Sequence, residues 1–295
     1  MNGLWIVFTV LAAMGQTARN AMQRELTATL GAAGATHVRF LFGFPFALLF
    51  LIGVSVAVHR VPAIHDTAFW PAIVAGALTQ IGGTALMLMT MEQRSFVVTV
   101  AYLKTEPIIV AILGYIFLHD ALTLPMIAAI LIATFGVVLI SWRPGMAGDL
   151  RPALLGLSAG AMFAVSAIGY RGAILALHDP SYVMGATLAL AVGLTIQSVV
   201  LSAYLALREP GVLGKIVHQW RPSLFAGLMG SAASEGWFLA FALATAASVR
   251  TLGLIDVLFA QLVSHIVFKQ KTTRQEIAGI ALLVAGALLL VYVHR

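Results

Sequence analysis

Ten runs of apolar residues, each about 18 to 25 long, are separated by short turns of Arg, Lys, Asp, Glu, Pro and Gly, and that length matches a helix crossing about 30 Å of hydrocarbon. The runs lie near 3–19, 36–58, 68–90, 95–118, 122–142, 152–176, 182–206, 222–244, 248–268 and 275–293. Of the 295 residues, 61% are hydrophobic and 9% charged, where a soluble domain has about 45–50% and about 25%. Mean hydropathy is +0.99. An all-α integral membrane protein is expected, with no stretch between runs long enough for a soluble domain. The first run, from Leu4, has no preceding Lys or Arg and no small-residue cleavage site after it, so a removed signal peptide is not expected.

The absence of cysteine excludes disulfides, iron–sulfur clusters and thiolate metal sites. The net charge of +6 comes from basic residues that are single or paired in loops, so nucleic acid is not an expected partner.

A turn-rich seam, RPGMAGDLR (143–151), divides the chain into residues 1–145 and 150–295. At an offset of 150, GYIFLHDALTLPMIAAILIATFGVVLI (114–140) lies over SHIVFKQKTTRQEIAGIALLVAGALLL (264–290) without a gap. Seven of 27 positions match, among them Thr123/Thr273, Ile127/Ile277 and Gly136/Gly286. The same register places Glu106 over Asp256. Five helices per copy return the second copy from the opposite side, so two inverted five-helix repeats are expected, the architecture of secondary transporters.

On these residues, on His37–Arg39 leading the second run, on the acid–proline pair Glu106–Pro107, and on the turn FLHDALTLPMIAAILIATFGVVL with its echo FKQKTTRQEIAGIALLVAGALLL, the chain resembles the drug/metabolite transporter superfamily. Within it, the likeness is to ten-helix EamA-type permeases. The resemblance implies movement of amino acids, metabolites or toxic compounds across a bacterial inner membrane, often outward, by a multi-pass monomer or homodimer without a cofactor. Relatives commonly carry Glu in the turns after helices four and nine, where this chain has Asp120 and Gln270.

Ionisable residues at bilayer depth need a partner, a wet cavity or a ligand. Arg39, Lys104, Glu106, Glu235 and Asp256 fall inside runs, with Arg171 and Arg250 nearer run ends. Each is either a strut between helices or a group that meets substrate or a coupling ion. In TVAYLKTEPIIVAIL (99–113), Tyr102 and Glu106 share a helix face while Lys104 points about 200° away. Pro107 disfavours helical geometry at Glu106 and should kink the helix. Glu106 and Tyr102 are therefore expected to face a polar cavity, and Lys104 to pair with an acid on another helix, for which Asp256 is the candidate. Gly253 stands where the ninth run lacks a proline. Glu235 beside Trp237, with Gln16, Gln80 and Tyr170, completes the candidate set for substrate binding or coupling.

Basic residues on alternate sides are unequal. One side holds eleven, Arg19, Arg24, Arg94, Arg143, Arg151, Arg208, Lys215, Arg221, Lys269, Lys271 and Arg274, and the other four, Arg60, Arg171, Arg250 and Arg295. The positive-inside rule puts the richer side in the cytoplasm and the termini outside; the resemblance implies the reverse. No P-loop and no HExxH occurs, which disfavours a nucleotide-driven pump and a metalloprotease. The expected activity is secondary transport of a small polar metabolite, amino-acid-like or otherwise zwitterionic, by alternating access with possible proton coupling. Uncoupled facilitation and multidrug or cation export are the alternatives, and no enzymatic activity or metal is expected.

Overall fold

The computed structural model describes residues 3–60, 62–93, 99, 102–141, 150–259, 261 and 273–293, without the side chains at 21, 24 and 93. The linker from Arg143 to Asp149, Arg94, Lys269, Gln270, Lys271 and Arg295 lie outside them. Among the described residues every regular element is helical, and seven helices are long and apolar enough to cross a membrane. The outward surface is apolar, with Leu49, Phe117, Phe135 and Tyr292 all at least 60% exposed. Large side chains of this kind face lipid in a multi-pass membrane protein, since water would expel them.

The first element corrects the expected loop after residue 19. Helix α1 spans Leu4–Leu41 and breaks only at Gly31, whose φ of 68° and ψ of 173° suit a residue without Cβ. The stretch NAMQRELTATL (20–30) contains neither Gly nor Pro, so nothing stops the helix before Gly31. Beyond it the chain folds back, and Gln23 Nε2 donates to the Ala35 carbonyl 3.2 Å away, twelve residues on. After a short turn come α2 (Phe44–Val58), α3 (Phe69–Gln93), α4 (Glu106–Phe117) and α5 (Leu124–Ser141).

The second half holds α6 (Leu150–Ala176), α7 (Tyr182–Arg208), α8 (Pro210–His218), α9 (Trp220–Leu243), α10 (Ala246–Leu252) and α11 (Arg274–Val293). The sequence reading did not anticipate α8. It starts with a proline in its first turn, buries Ile216 and packs Val212 against Gly34 beside the Gly31 reversal. Its last turn carries Lys215 and His218, the arrangement of an interfacial helix with one apolar face.

The halves exchange partners. The third helix of the first half, α3, lies along α6, the first of the second half, while α1 lies along α9. Helices α5 and α11 meet almost backbone to backbone. A Cβ on Gly136 would sit 2.6 Å from Leu283 N and 2.7 Å from the Gly279 carbonyl; one on Gly286 would sit 2.6 Å from Ala133 N and 2.8 Å from the Ala129 carbonyl. Shifting each residue by 150 turns one contact set into the other. Small residues let helices approach closely enough for dispersion to hold them where lipid supplies no hydrophobic drive. Gly136→Val is therefore expected to cost about 1–3 kcal/mol through forced separation, read as a lower melting temperature in detergent. Gly53→Val, where a Cβ meets nothing within 4 Å, should leave the melting temperature unchanged.

Candidate functional site

The chain is interrupted at two places 150 residues apart, before Glu106 and before Asp256. Tyr102 and Leu103 are helical, Lys104 and Thr105 form a turn, and α4 begins at Glu106 with Pro107 in its first turn. The Thr105 hydroxyl donates to the Tyr102 carbonyl at 2.9 Å. In the second half α10 ends at Leu252, Gly253–Ile255 tighten into a 3₁₀ turn, and helical geometry resumes at Asp256. Each acid thus opens a helix directly after a break, where the exposed N–H groups favour a carboxylate.

The break also corrects the expected face-sharing of Tyr102 and Glu106, because the helical register does not run through Lys104 and Thr105. Tyr102 packs instead over Gly156 of α6, whose Cβ position lies 2.6 Å from the Tyr102 Cβ. Glu106 is closed by a cation rather than left facing a cavity: Arg250 Nε stands 3.0 Å from its Oε1. That N–H is not aimed at the oxygen, and neither atom has a hydrogen-bond partner among the described residues. The contact is therefore one of charge without an aligned hydrogen bond.

Lys104 reaches across to Asp256, with Nζ 2.7 Å from Oδ1 and 2.5 Å from Oδ2. The two side chains are 13% and 10% exposed. Each half therefore contributes one acid and one cation, and each pair joins the two halves. Arg250 is also stacked: its Cζ lies 4.8 Å from the Trp237 ring centroid and 5.5 Å from that of Phe241. Trp237 donates its indole N–H to Gln16 Oε1 at 3.0 Å and fills the space over Gly253, where a Cβ would lie 2.5 Å from its ring.

Around this centre lie further polar contacts. The Tyr170 hydroxyl donates to Gln80 Oε1 at 3.0 Å, and Gln197 Nε2 is 2.8 Å from both. Arg39 Nη1 donates to the Thr84 hydroxyl at 3.1 Å. The Glu235 carboxyl takes the Thr187 hydroxyl at 2.6 Å on Oε1, and its buried Oε2 has no partner among the described residues. At the end of the bundle remote from Gly31, Arg171 bonds Asp120 at 3.1 Å and the Phe241 and Ala244 carbonyls. Arg60 meets Asp179 there at 2.5 Å.

All ten sequence-derived candidates lie in helices or at their breaks. Glu106 and Trp237 meet through Arg250, with Gln16 attached to Trp237; Lys104 and Asp256 form the other pair; Gln80 and Tyr170 form a separate network with Gln197. Sequence reading missed Gln197 and Thr187, single polar residues in an apolar run with no pattern to mark them. It also assigned Arg19 to a loop, whereas α1 carries it inside the bundle at 3% exposure. Arg171 and Arg250 likewise leave the loop count, being 11% exposed on their side chains. Among the described residues no group of three or more His, Asp or Glu is placed to hold a metal.

Comparison with known proteins adds a likeness over the first half of the chain. Residues 3–142 match the model of the EamA-like transporter family. No curated protein matches the chain. A solved crystal structure superposes with a TM-score of 0.72 at 12% identity, covering 100% of this chain and 96% of the other, a likeness of fold.

Proposed function

We propose that the chain, whose residues 3–142 match the EamA-like transporter family, is a member of that family within the drug/metabolite transporter superfamily, and a secondary transporter that moves a small polar, zwitterionic metabolite by alternating access. It is a multi-pass membrane protein, and the proposed location is the bacterial inner membrane with the basic end, carrying α8, in the cytoplasm. Residues 150–295 are read as a second, inverted copy of the first repeat. The exchange of α1 and α3 for α9 and α6, and the 150-residue symmetry of the Gly136 and Gly286 contacts, support that reading.

The observation that carries the proposal is the crossed pairing of Lys104 with Asp256 and Arg250 with Glu106. Two repeats that rock about a central site need contacts that join them in one state and part in another. Ion pairs at the breaks of both fourth helices are such contacts. The carboxylates they release during opening suit the positive pole of a zwitterion.

Glu235 is the proposed proton carrier. The Thr187 hydroxyl lies 2.7 Å from the Val183 carbonyl and 2.6 Å from Glu235 Oε1, with one hydrogen for two acceptors. A proton on Glu235 supplies the second hydrogen bond. Protein in liposomes loaded with unlabelled amino acids should accumulate a labelled amino acid by counterflow. Unsaturable conductance would indicate a channel and overturn the carrier reading. Glu235→Gln should keep counterflow and lose the response of net uptake to a pH gradient; a response equal to wild type would assign uncoupled facilitation or another carrier for the proton.

A further inference from the structure

Among the described residues, two buried cations remain without a counter-ion once the crossed pairs are assigned. Arg19 is 3% exposed and Arg39 5%. Arg19 Nη2 donates to its own neighbour, Asn20, at 2.9 Å, while its buried Nε and Nη1 have no hydrogen-bond partner among the described residues. Arg39 has the Thr84 hydroxyl and the face of Phe40, 5.1 Å from its Cζ. Neither arginine has a carboxylate within ion-pair distance among the described residues.

Their side chains meet over one glycine of α9: a Cβ on Gly230 would lie 3.3 Å from Arg19 Cδ and 3.7 Å from Arg39 Cγ. Two like charges held together and desolvated raise the energy of the empty protein, because each lacks an opposite charge to offset its lost hydration. An arginine presents a flat fork of donors shaped for a carboxylate or a phosphate.

A cleft of about 210 Å³ opens on the same α1–α9 seam, lined by Met22, Glu25, Leu26 and Thr29 of α1 with Gln219 and Pro222 at the start of α9. It shares Thr29 and Gln219 with a neighbouring space of about 440 Å³ that carries Lys215 and His218. Met22 is one helical turn from Arg19, and Pro222 two turns from Gly230. Lys215 in the outer space draws anions and Glu25 in the cleft opposes them, so the attraction toward the interior comes from the two buried arginines.

We propose that Arg19 and Arg39 form an oxyanion site that holds the carboxylate or phosphate group of the transported solute, entered along the α1–α9 seam. The inference rests on the transporter reading and assigns the negative pole of the substrate to these two guanidinium groups. Asn20 and Thr84 orient them.

Thermal unfolding of the purified protein in detergent tests the site. Sodium acetate and sodium phosphate are compared with sodium chloride at equal ionic strength, and the anion that raises the melting temperature above chloride identifies the group. Arg19→Met should raise the melting temperature of the ligand-free protein, by removing an uncompensated charge, and abolish the oxyanion-dependent rise. Arg39→Met should also abolish it. Arg19→Lys, which keeps the charge and loses the fork, should weaken binding roughly 10- to 100-fold. No rise with either oxyanion, or an undiminished rise in Arg19→Met, overturns the site. Counterflow of a labelled amino acid at equal rates in wild type and Arg19→Met would also overturn it while leaving the transporter reading intact. A rise that depends on Arg19, in a protein without counterflow of any solute, would sink the transporter reading and keep the site.

Discussion

Asp256→Asn will leave the Lys104 ammonium inside the bundle without a counter-ion and should destabilise the protein by about 3–5 kcal/mol, with loss of counterflow. The magnitude follows from burial. With 13% and 10% of the two side chains exposed, water restores little of what the pair supplies, whereas an exposed ion pair is worth only about 0–1 kcal/mol. The doubly apolar variant, Lys104→Met with Asp256→Leu, should return stability to near wild type, since an apolar pair of similar volume removes both desolvation penalties. Its transport should stay lost, because the bundles then adhere without a contact that parts. Recovery of counterflow in that variant would reduce the pair to a strut. The exchange Lys104→Asp with Asp256→Lys should recover part of both properties, and a complete lack of rescue would argue against the pairing.

Which parts of this arrangement were legible in the sequence depends on the physics that produced them. Lipid forces every backbone polar group into a helix, so apolar length located α3, α5, α6, α7 and α11 to within a few residues. The placement of Lys104 against Asp256 was accessible because the 150-residue register matches Asp256 to Glu106, two residues from Lys104, and matched segments of inverted halves approach one another. The Gly31 reversal was not, since hydropathy falls in NAMQRELTATL while helix propensity does not, and Arg19 was consequently placed at a surface. Helix α8 is too short and too polar on one side to register as a span. Glu106 was expected beside open space because Arg250 sits near the start of its run; only the break at Gly253–Ile255 makes clear how that part of the chain approaches α4. Pairings of this kind depend on which backbone breaks align across the two halves, and no local pattern encodes that.

The second crossed pair should behave differently from the first. Arg250→Met removes the cation opposite Glu106 and the charge stacked on Trp237 and Phe241, so a loss of about 3–5 kcal/mol is expected again, with counterflow abolished. Glu106→Gln should be milder on both measures. Arg250 without its acid keeps the two ring faces, worth about 0.5–2 kcal/mol in such a setting, whereas Glu106 without Arg250 has only Lys104 nearby, already engaged by Asp256. Arg250→Lys should not rescue, because a compact ammonium lacks the flat surface that lies over the indole. A double-mutant cycle on each pair would rank them. Coupling between contacting residues spans about 0.5–3 kcal/mol; Lys104 with Asp256, bonded to both oxygens, belongs near the top, and Arg250 with Glu106, close but unaligned, near the bottom. The weaker pair is the one that parts first when the repeats rock, so Glu106→Gln should preserve exchange while Asp256→Asn ends it. Equal coupling in the two cycles, or exchange that survives Asp256→Asn and not Glu106→Gln, would reverse that order of opening.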